Sequence, residues 1–142
     1  MVGNEFSYRL FFHCDSILPD ELQLKVDEVY NQISNNVFNV YVPAVFYLEC
    51  NNVLISSLKK QRINNSDYEE YLQILTQLPV TVDKFCSTSE ALYSIGRIAT
   101  AYNLTSYDSA YLELALRLEA KIATLDKELR SSCEIANIET II

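Results

Sequence analysis

Four acidic residues occupy positions where an α/β protein commonly places its chemistry. Asp15 directly follows an apolar strand pattern, and Asp126 directly follows the pattern Lys-Ile-Ala-Thr-Leu. Asp108 falls in the first turn of a predicted helix, and Glu49 lies two turns into another predicted helix. Functional groups of a parallel sheet collect beyond the carboxyl ends of its strands. Three of these acids fit that rule directly, and Glu49 fits it if its helix passes over the same edge.

Such a set of carboxylates is suited to binding a hard divalent cation. Mg²⁺ and Mn²⁺ prefer carboxylate and water oxygen to imidazole and thiolate. A bound metal positions and deprotonates a water for attack on a phosphodiester, and it offsets negative charge on the leaving oxygen. Without a cation, converging carboxylates would repel each other and raise each other's pKa values. The hypothesis is that Asp15, Glu49, Asp108 and Asp126 are catalytic metal ligands.

Each acid also has a purely structural interpretation. Asp15 could end a strand, Asp108 could stabilise a helix dipole, and Asp126 could cap the following helix. Glu49 could lie on a solvated face, although its neighbour Leu48 is apolar. Taken singly, these structural roles are favoured over catalysis. Their combination in one predicted α/β domain shifts the balance modestly towards a shared site.

The elements that must position these acids follow from hydrophobic spacing along one predicted domain, residues 1–142. The predicted strands are 8–14, 37–42, 80–82, 121–125 and 136–141. The predicted helices are 19–33, about 43–60, 67–78, one opening at Thr88, 107–118 and 127–132, with Ser66 and Ser106 as caps. Alternating strands and helices predict an α/β fold with a mainly parallel sheet.

Composition excludes several other classes of protein. The only glycines are Gly3 and Gly96, so Gly-rich cofactor and phosphate loops are poorly supported. Four dispersed cysteines and one histidine do not suggest a zinc site or a disulfide framework. No apolar run is long enough to span a bilayer, and the start lacks the pattern of a signal peptide, so we expect a cytoplasmic protein.

The formal net charge of −8 opposes general binding to nucleic acid, which relies on Lys and Arg. It does not oppose a metal nuclease, because a bound cation cancels part of the charge of a carboxylate site. An acidic surface also suits a basic protein partner.

Three segments resemble motifs of one known family. Residues 42–54 (VPAVFYLECNNVL) resemble its segment of Pro, a spaced Glu, then Asn and Leu. Residues 105–115 (TSYDSAYLELA) are similar to the signature Tyr-Asp-Ala-x-Tyr-Leu-x-Leu-Ala, and residues 123–129 (ATLDKEL) resemble the Thr-x-Asp strand end. These motifs mark PIN domains, especially VapC-like toxins of bacterial toxin–antitoxin pairs. The resemblance covers nearly the whole chain, and it implies a three-layer α/β/α domain and a Mg²⁺- or Mn²⁺-dependent endoribonuclease.

The resemblance also assigns residue roles. It implies that Glu49, Asp108 and Asp126 bind the metal. Asn52 lies one helical turn from Glu49 and is expected to support that carboxylate. Hydroxyls of Ser106 and Thr124 are expected near the site. A helix cap for Ser106 and a strand hydroxyl for Thr124 are the competing interpretations.

The first family motif is irregular in this sequence. The family places Ser or Asn two residues after its first Asp, but Ile17 stands two residues after Asp15. Other alignments put the first acidic position at Arg9 or near Val2, and either would remove a central ligand. Asp15 is preferred because its distance from Glu49 and its place after an apolar strand suit the fold.

The family implies a growth-arresting toxin that cuts RNA. A cognate antitoxin would insert a basic arm among the acids of the site. The toxins commonly form homodimers, and apolar helices rich in the 10 tyrosines of this chain could supply the interface. The alternative is a PIN-like module that has lost catalysis and keeps protein interaction. A response-regulator-like module is a third hypothesis, but its paired acidic start and late lysine are not evident.

Overall fold

A parallel four-stranded sheet forms the centre of the computed structural model, which describes residues 9–12 (backbone only), 28, 31–35 and 39–141. Its strands are β1 (Arg9–Phe12), β2 (Asn39–Pro43), β3 (Val80–Asp83) and β4 (Lys121–Ala123). The strand order is β3-β2-β1-β4, and each neighbouring pair is parallel. All four carboxyl ends therefore lie along one edge, called here the carboxyl edge. The predicted α/β class with a parallel sheet is confirmed.

Five helices surround this sheet in the described part of the chain. They are α1 (Phe46–Lys59), α2 (Asn65–Gln77), α3 (Ala91–Tyr102), α4 (Ser106–Leu118) and α5 (Lys127–Ile135). A 3₁₀ turn at Phe85–Ser87 follows β3. Residues 28 and 31–34 are also helical, so the predicted helix 19–33 extends one residue further, to residue 34.

Three predicted helix starts were wrong in detail. Asn64, not Ser66, caps α2: its side chain accepts a hydrogen bond from the Asp67 N–H while the Asp67 carboxylate accepts one from the Asn64 N–H. Thr105, not Ser106, caps α4. Thr88 does not open a helix, because its hydroxyl donates to the Phe85 carbonyl and closes the 3₁₀ turn. The α3 helix instead begins after Glu90, whose side chain makes no capping hydrogen bond.

The predicted last strand, 136–141, is reduced to a single parallel bridge between Ile122 and Thr140. Helix α5 runs on to Ile135, beyond its predicted end, and Asn137 then adopts a positive φ of 57°. The chain therefore contacts β4 at Ile122 alone: the Ile122 N–H donates to the Glu139 carbonyl at 3.0 Å, and the Ile141 N–H donates to the Ile122 carbonyl at 3.1 Å.

Helix α4 is the central helix of the core. Its residues from Ser109 to Ala115 are all buried, so the helix is covered on every side. It contacts β1, β2 and β4, and it packs against α3 and α5. Tyr111 is its largest fully buried side chain. A helix placed in this way holds its first turn, with Asp108, in a fixed position relative to the sheet.

Cys50, Cys86 and Cys133 are free thiols, and Cys14 lies outside the described residues. Burial raises the pKa of Cys133 to about 11, so this thiol is unreactive near neutral pH. None of the helices in the described residues has the length and apolar character needed to cross a bilayer.

Candidate active site at the carboxyl edge

The first turns of α1 and α4 meet at the carboxyl edge. Val45, which precedes α1, lines the same cavity as Ser106 and Tyr107 at the start of α4. The Glu49 N–H donates to the Val45 carbonyl at 3.0 Å, so Glu49 lies one turn from that cavity. Asp108 follows Tyr107 directly. The structure therefore brings together the two helix starts that contain Glu49 and Asp108.

Glu49 and Asp108 differ in their surroundings. Glu49 is half-buried, its Oε1 atom is shielded from solvent, and its neighbours Phe46 and Cys50 are fully buried. Asp108 is also half-buried, and its backbone N–H donates to Thr105 Oγ1 at 3.2 Å. The positive end of the α4 dipole favours a carboxylate at this point. Both acids are therefore half-buried side chains in the first turn of a helix that begins beside the cavity.

Asp126 lies beyond β4 and caps α5. Its Oδ1 accepts a hydrogen bond of 2.7 Å from the Leu129 N–H, and its own N–H donates to Thr124 Oγ1 at 3.1 Å. The predicted capping role of Asp126 is therefore confirmed, whereas Thr124 follows β4 and its hydroxyl accepts its hydrogen bond in the loop rather than within the strand. The cap uses Oδ1 only, so Oδ2 keeps its capacity to accept another bond. Thr124, which is fully buried, fixes the loop that orients this carboxylate.

Arg130 is a cation in the same loop region that sequence reasoning missed. Its Nη2 donates to the Thr124 carbonyl at 2.9 Å, two residues before Asp126. Among the residues that the structure describes, no carboxylate lies within ion-pair distance of this guanidinium. Its spacing of four residues from Asp126 was the available sequence signal. Arg130 thus presents spare N–H donors next to a candidate metal ligand.

Two supporting residues lie in exposed positions. Ser106 is exposed on the cavity wall, where Thr105 has taken the capping role. Asn52 is on the exposed face of α1. The predicted support of Glu49 by Asn52 stays a prediction.

The donor chemistry of the site fits a hard divalent cation. Glu49, Asp108 and Asp126 offer only carboxylate oxygen around one edge. Within residues 28–141, as far as they are described, no three acidic, histidine or cysteine side chains form a metal-binding cluster by themselves. Asp15 lies outside the described residues. The joint binding of one metal by Glu49, Asp108 and Asp126 stays a prediction.

Asp83 is a further acid at this edge, at the end of β3, but its negative charge is balanced by an ion pair with Arg117. It pairs with Arg117 through contacts of 2.7 Å and 3.1 Å, while Arg117 also binds Glu113 at 2.7 Å and lies 4.9 Å from the Phe85 ring centroid. Partial burial by itself raises the pKa of Asp83. Hydrogen bonds from Arg117 and from the Phe85 N–H, together with the positive charge of Arg117, outweigh this effect, so the net pKa of Asp83 is lowered. Hydrogen bonds to Glu113 and Asp83 raise the pKa of Arg117. Asp83 is therefore a structural acid rather than a metal-ligand candidate.

Comparison with known proteins identifies the family and the fold. Residues 16–134 match the family model described as "PIN domain", a range that begins one residue after Asp15. No curated protein matches the sequence. The structure is similar to that of PAE2754 from Pyrobaculum aerophilum, with a TM-score of 0.69 and 17% identity over 95% of this chain and 85% of that chain. It is also similar to FitAcB from Neisseria gonorrhoeae, with a TM-score of 0.56 and 16% identity over 94% of this chain and 96% of that chain.

Proposed function

This chain belongs to the PIN-domain family, and from that premise we propose that it is a divalent-metal-dependent endoribonuclease of the VapC-like toxin class. The observation that supports the proposal most is the meeting of the α1 and α4 starts, with Glu49 and Asp108, beside one cavity at the carboxyl edge. Asp126 joins the same edge through the loop after β4. An edge with these acids and with Arg130, which has no carboxylate partner among the described residues, suits a phosphodiester better than a neutral substrate.

Each residue of the proposed site would have a distinct role in metal or phosphate binding. Glu49, Asp108 and Asp126 would hold Mg²⁺ or Mn²⁺, with Asp15 as a fourth carboxylate. A bound divalent cation supplies Lewis acidity, which lowers the pKa of its water and offsets charge on the phosphate. The α5 cap fixes the orientation of Asp126, and the Thr124 carbonyl holds Arg130 where it binds a phosphate oxygen.

Protein partners belong to the same proposal. A cognate antitoxin would place a basic side chain among the acids of the carboxyl edge. Leu48 and Ile135, each 73% exposed, offer apolar surface for that partner or for a second copy of the chain. We place the activity in the cytoplasm, where the RNA substrate is found.

One observation favours a second candidate function, a PIN-like interaction module without catalysis. The described acids do not by themselves form a three-ligand cluster, and Asp15 falls outside the matched range. If the first acidic position is Arg9 or Val2, a ligand is missing and the fold retains only its binding surfaces.

Mn²⁺ binding by calorimetry separates these functions. We expect the wild type to bind Mn²⁺. The variants Asp108→Asn and Asp126→Asn should each have an affinity for Mn²⁺ that is lower by about tenfold or more, because each loses a charged ligand. Cleavage of single-stranded RNA should fall in the same variants. Asp83→Asn is the matched control, since its carboxylate lies at the same edge but is engaged by Arg117. It should bind Mn²⁺ as the wild type does.

The remaining outcomes are equally informative. Absence of Mn²⁺ binding by the wild type at millimolar metal would exclude the enzyme and leave the interaction module. Full binding by Asp15→Asn, with loss in Asp108→Asn, would mean that Asp15 is not the first ligand.

A further inference from the structure

The cavity beside the two acidic helix starts has a volume of about 260 Å³. Its wall is built from Val45, from Cys86 in the 3₁₀ turn, from Ile95 and Gly96 of α3, and from Tyr107 of α4. None of the residues that line it is charged. A phosphate or another anion would find no cationic partner there, so an uncharged, mainly apolar group is the fitting ligand.

Gly96 is an unexpected residue at this place. Glycine in a helix interior costs about 0.5–1 kcal/mol relative to alanine. Gly96 lies in the middle of α3 with no positive φ that would require glycine, and a Cβ built on it meets no atom within 4 Å. Neither backbone conformation nor close helix packing therefore explains it. What its missing side chain provides is open space in the cavity wall.

We propose that this cavity binds one unpaired nucleobase of the RNA, next to the phosphate that is cut. The proposal rests on the proposed ribonuclease function and defines its substrate as single-stranded at that position. The volume is just below the roughly 300 Å³ at which sites for larger ligands begin. A single planar ring system is the ligand class of matching size.

Tyr107 provides the surface that such a base would need. Its side chain is 60% exposed although it lines the cavity, and Asp108 follows it in the chain. Proteins that read single-stranded RNA stack bases on exposed aromatic rings and hydrogen-bond their edges. The hydroxyls of Ser106 and Thr88 lie on the same wall. A base held there places its own phosphate near the acids of the carboxyl edge.

Gly96→Leu tests the proposal, because it fills the cavity while replacing a residue that weakens the helix. The probe is a mixed-sequence 12-nucleotide RNA with 2-aminopurine at successive positions, in Ca²⁺ to prevent cleavage. In the wild type we expect fluorescence quenching at one position, from stacking. Gly96→Leu should bind the RNA about tenfold more weakly and lose the quenching, with an unchanged or higher melting temperature.

Variants at the aromatic ring complete the test. Tyr107→Ala should weaken binding as Gly96→Leu does, whereas Tyr107→Phe keeps the ring and should retain it. Tyr93→Ala is the matched control, because Tyr93 is 76% exposed on α3 but does not line the cavity. It should leave affinity and quenching unchanged.

Each contrary result has a distinct meaning. If the wild type binds and cuts RNA and Gly96→Leu binds equally well, the nucleobase site is wrong and the nuclease stands. If the wild type neither binds nor cuts RNA, the proposed function fails and this inference fails with it. If light scattering shows that Gly96→Leu changes the oligomeric state but not RNA affinity, the cavity is a contact between copies and the inference is overturned.

Discussion

Ser109, next to the candidate ligand Asp108, carries a buried hydroxyl group that makes no stabilising hydrogen bond within the described residues. Its side chain is fully buried, and its Oγ has no hydrogen-bond partner in the part of the chain that the structure describes. The PIN signature that the sequence resembles has alanine at the corresponding position. A buried hydroxyl without a partner costs about 1–3 kcal/mol. Ser109 therefore weakens the fold at the start of its central helix.

Replacing this serine should stabilise the protein. We expect Ser109→Ala to raise the free energy of unfolding by about 1–3 kcal/mol, because the desolvation cost of the hydroxyl disappears. Urea unfolding followed by circular dichroism measures the change. Ser132→Ala is the matched control: Ser132 is also buried, but its hydroxyl donates to the Glu128 carbonyl at 3.0 Å. The control should be neutral or destabilising, and a loss of stability in Ser109→Ala would contradict the argument.

Residue types and spacing were enough to locate most of the candidate acids. Asp108 and Asp126 follow helix-start and strand-end rules, and both lie where those rules put them. Arg130 was missed because a sequence does not show which way a long side chain turns. Its bond to the Thr124 carbonyl exists only in the folded loop.

At the scale of elements, the Asp83–Arg117–Glu113 cluster joins the end of β3 to α4. Glu113 and Arg117 are four residues apart on α4, and Asp83 closes the cluster from the sheet. The 3₁₀ turn with Phe85 and Cys86 begins at this point, and Cys86 lines the cavity. The cluster thus fixes one wall of the cavity.

The pH dependence of stability tests this cluster. The folded pKa of Asp83 is lowered, so its contribution is present above the ordinary value of 3.8 and is lost as the pH falls through the folded pKa. Asp83→Asn should cost about 1–2 kcal/mol in urea unfolding at pH 7. The difference from the wild type should shrink steadily below pH 3.8.

Glu139→Gln is the control for that series. It breaks the ion pair between Lys121 and Glu139, whose carboxylate side chain is 63% exposed. Such a pair contributes less than about 1 kcal/mol. An Asp83→Asn effect no larger than that of Glu139→Gln would mean that the cluster is only a surface contact.

The order of elements was predictable, and their ends were not. Short continuous apolar runs indicated buried strands, and apolar residues repeated every three to four positions indicated helices. The alternation of these two patterns along the chain predicted parallel strands joined by helices. The cap of α4 depended on a choice between adjacent hydroxyls, Thr105 and Ser106, which only the backbone geometry decides. The predicted last strand failed because Asn137, just after α5, adopts a positive φ of 57°, which interrupts the extended backbone that a strand requires.

At the scale of the whole molecule, the net charge of −8 would restrict how the proposed RNA substrate is bound. Arg117 is engaged by carboxylates, which leaves Lys84, Lys127 and Arg130 as described cations beside the ends of β3 and β4. Recognition would then depend on the metal, on these few cations and on base contacts. Such binding releases few counterions and varies little with salt.

The salt dependence of RNA affinity measures this directly. We expect the logarithm of the RNA association constant, plotted against log[KCl], to have a slope of about −2 or shallower. Each phosphate contact on a single strand contributes roughly −0.7 to this slope. Arg130→Gln should make the slope shallower by about 0.7. Arg62→Gln, an exposed arginine after the far end of α1, should leave it unchanged. A steep slope in the wild type would indicate an extended basic surface elsewhere.

The sheet order has a consequence for the chain while it is being translated. Strand β1 lies between β2 and β4, so one of its edges has no partner until β4 has left the ribosome. At roughly 5–20 residues per second, that interval lasts several seconds. Asp126 follows β4 and is the last of the candidate acids to be made. A nascent chain therefore lacks one of the proposed ligands until that point, so the proposed nuclease would be inactive while most of the chain is being synthesised.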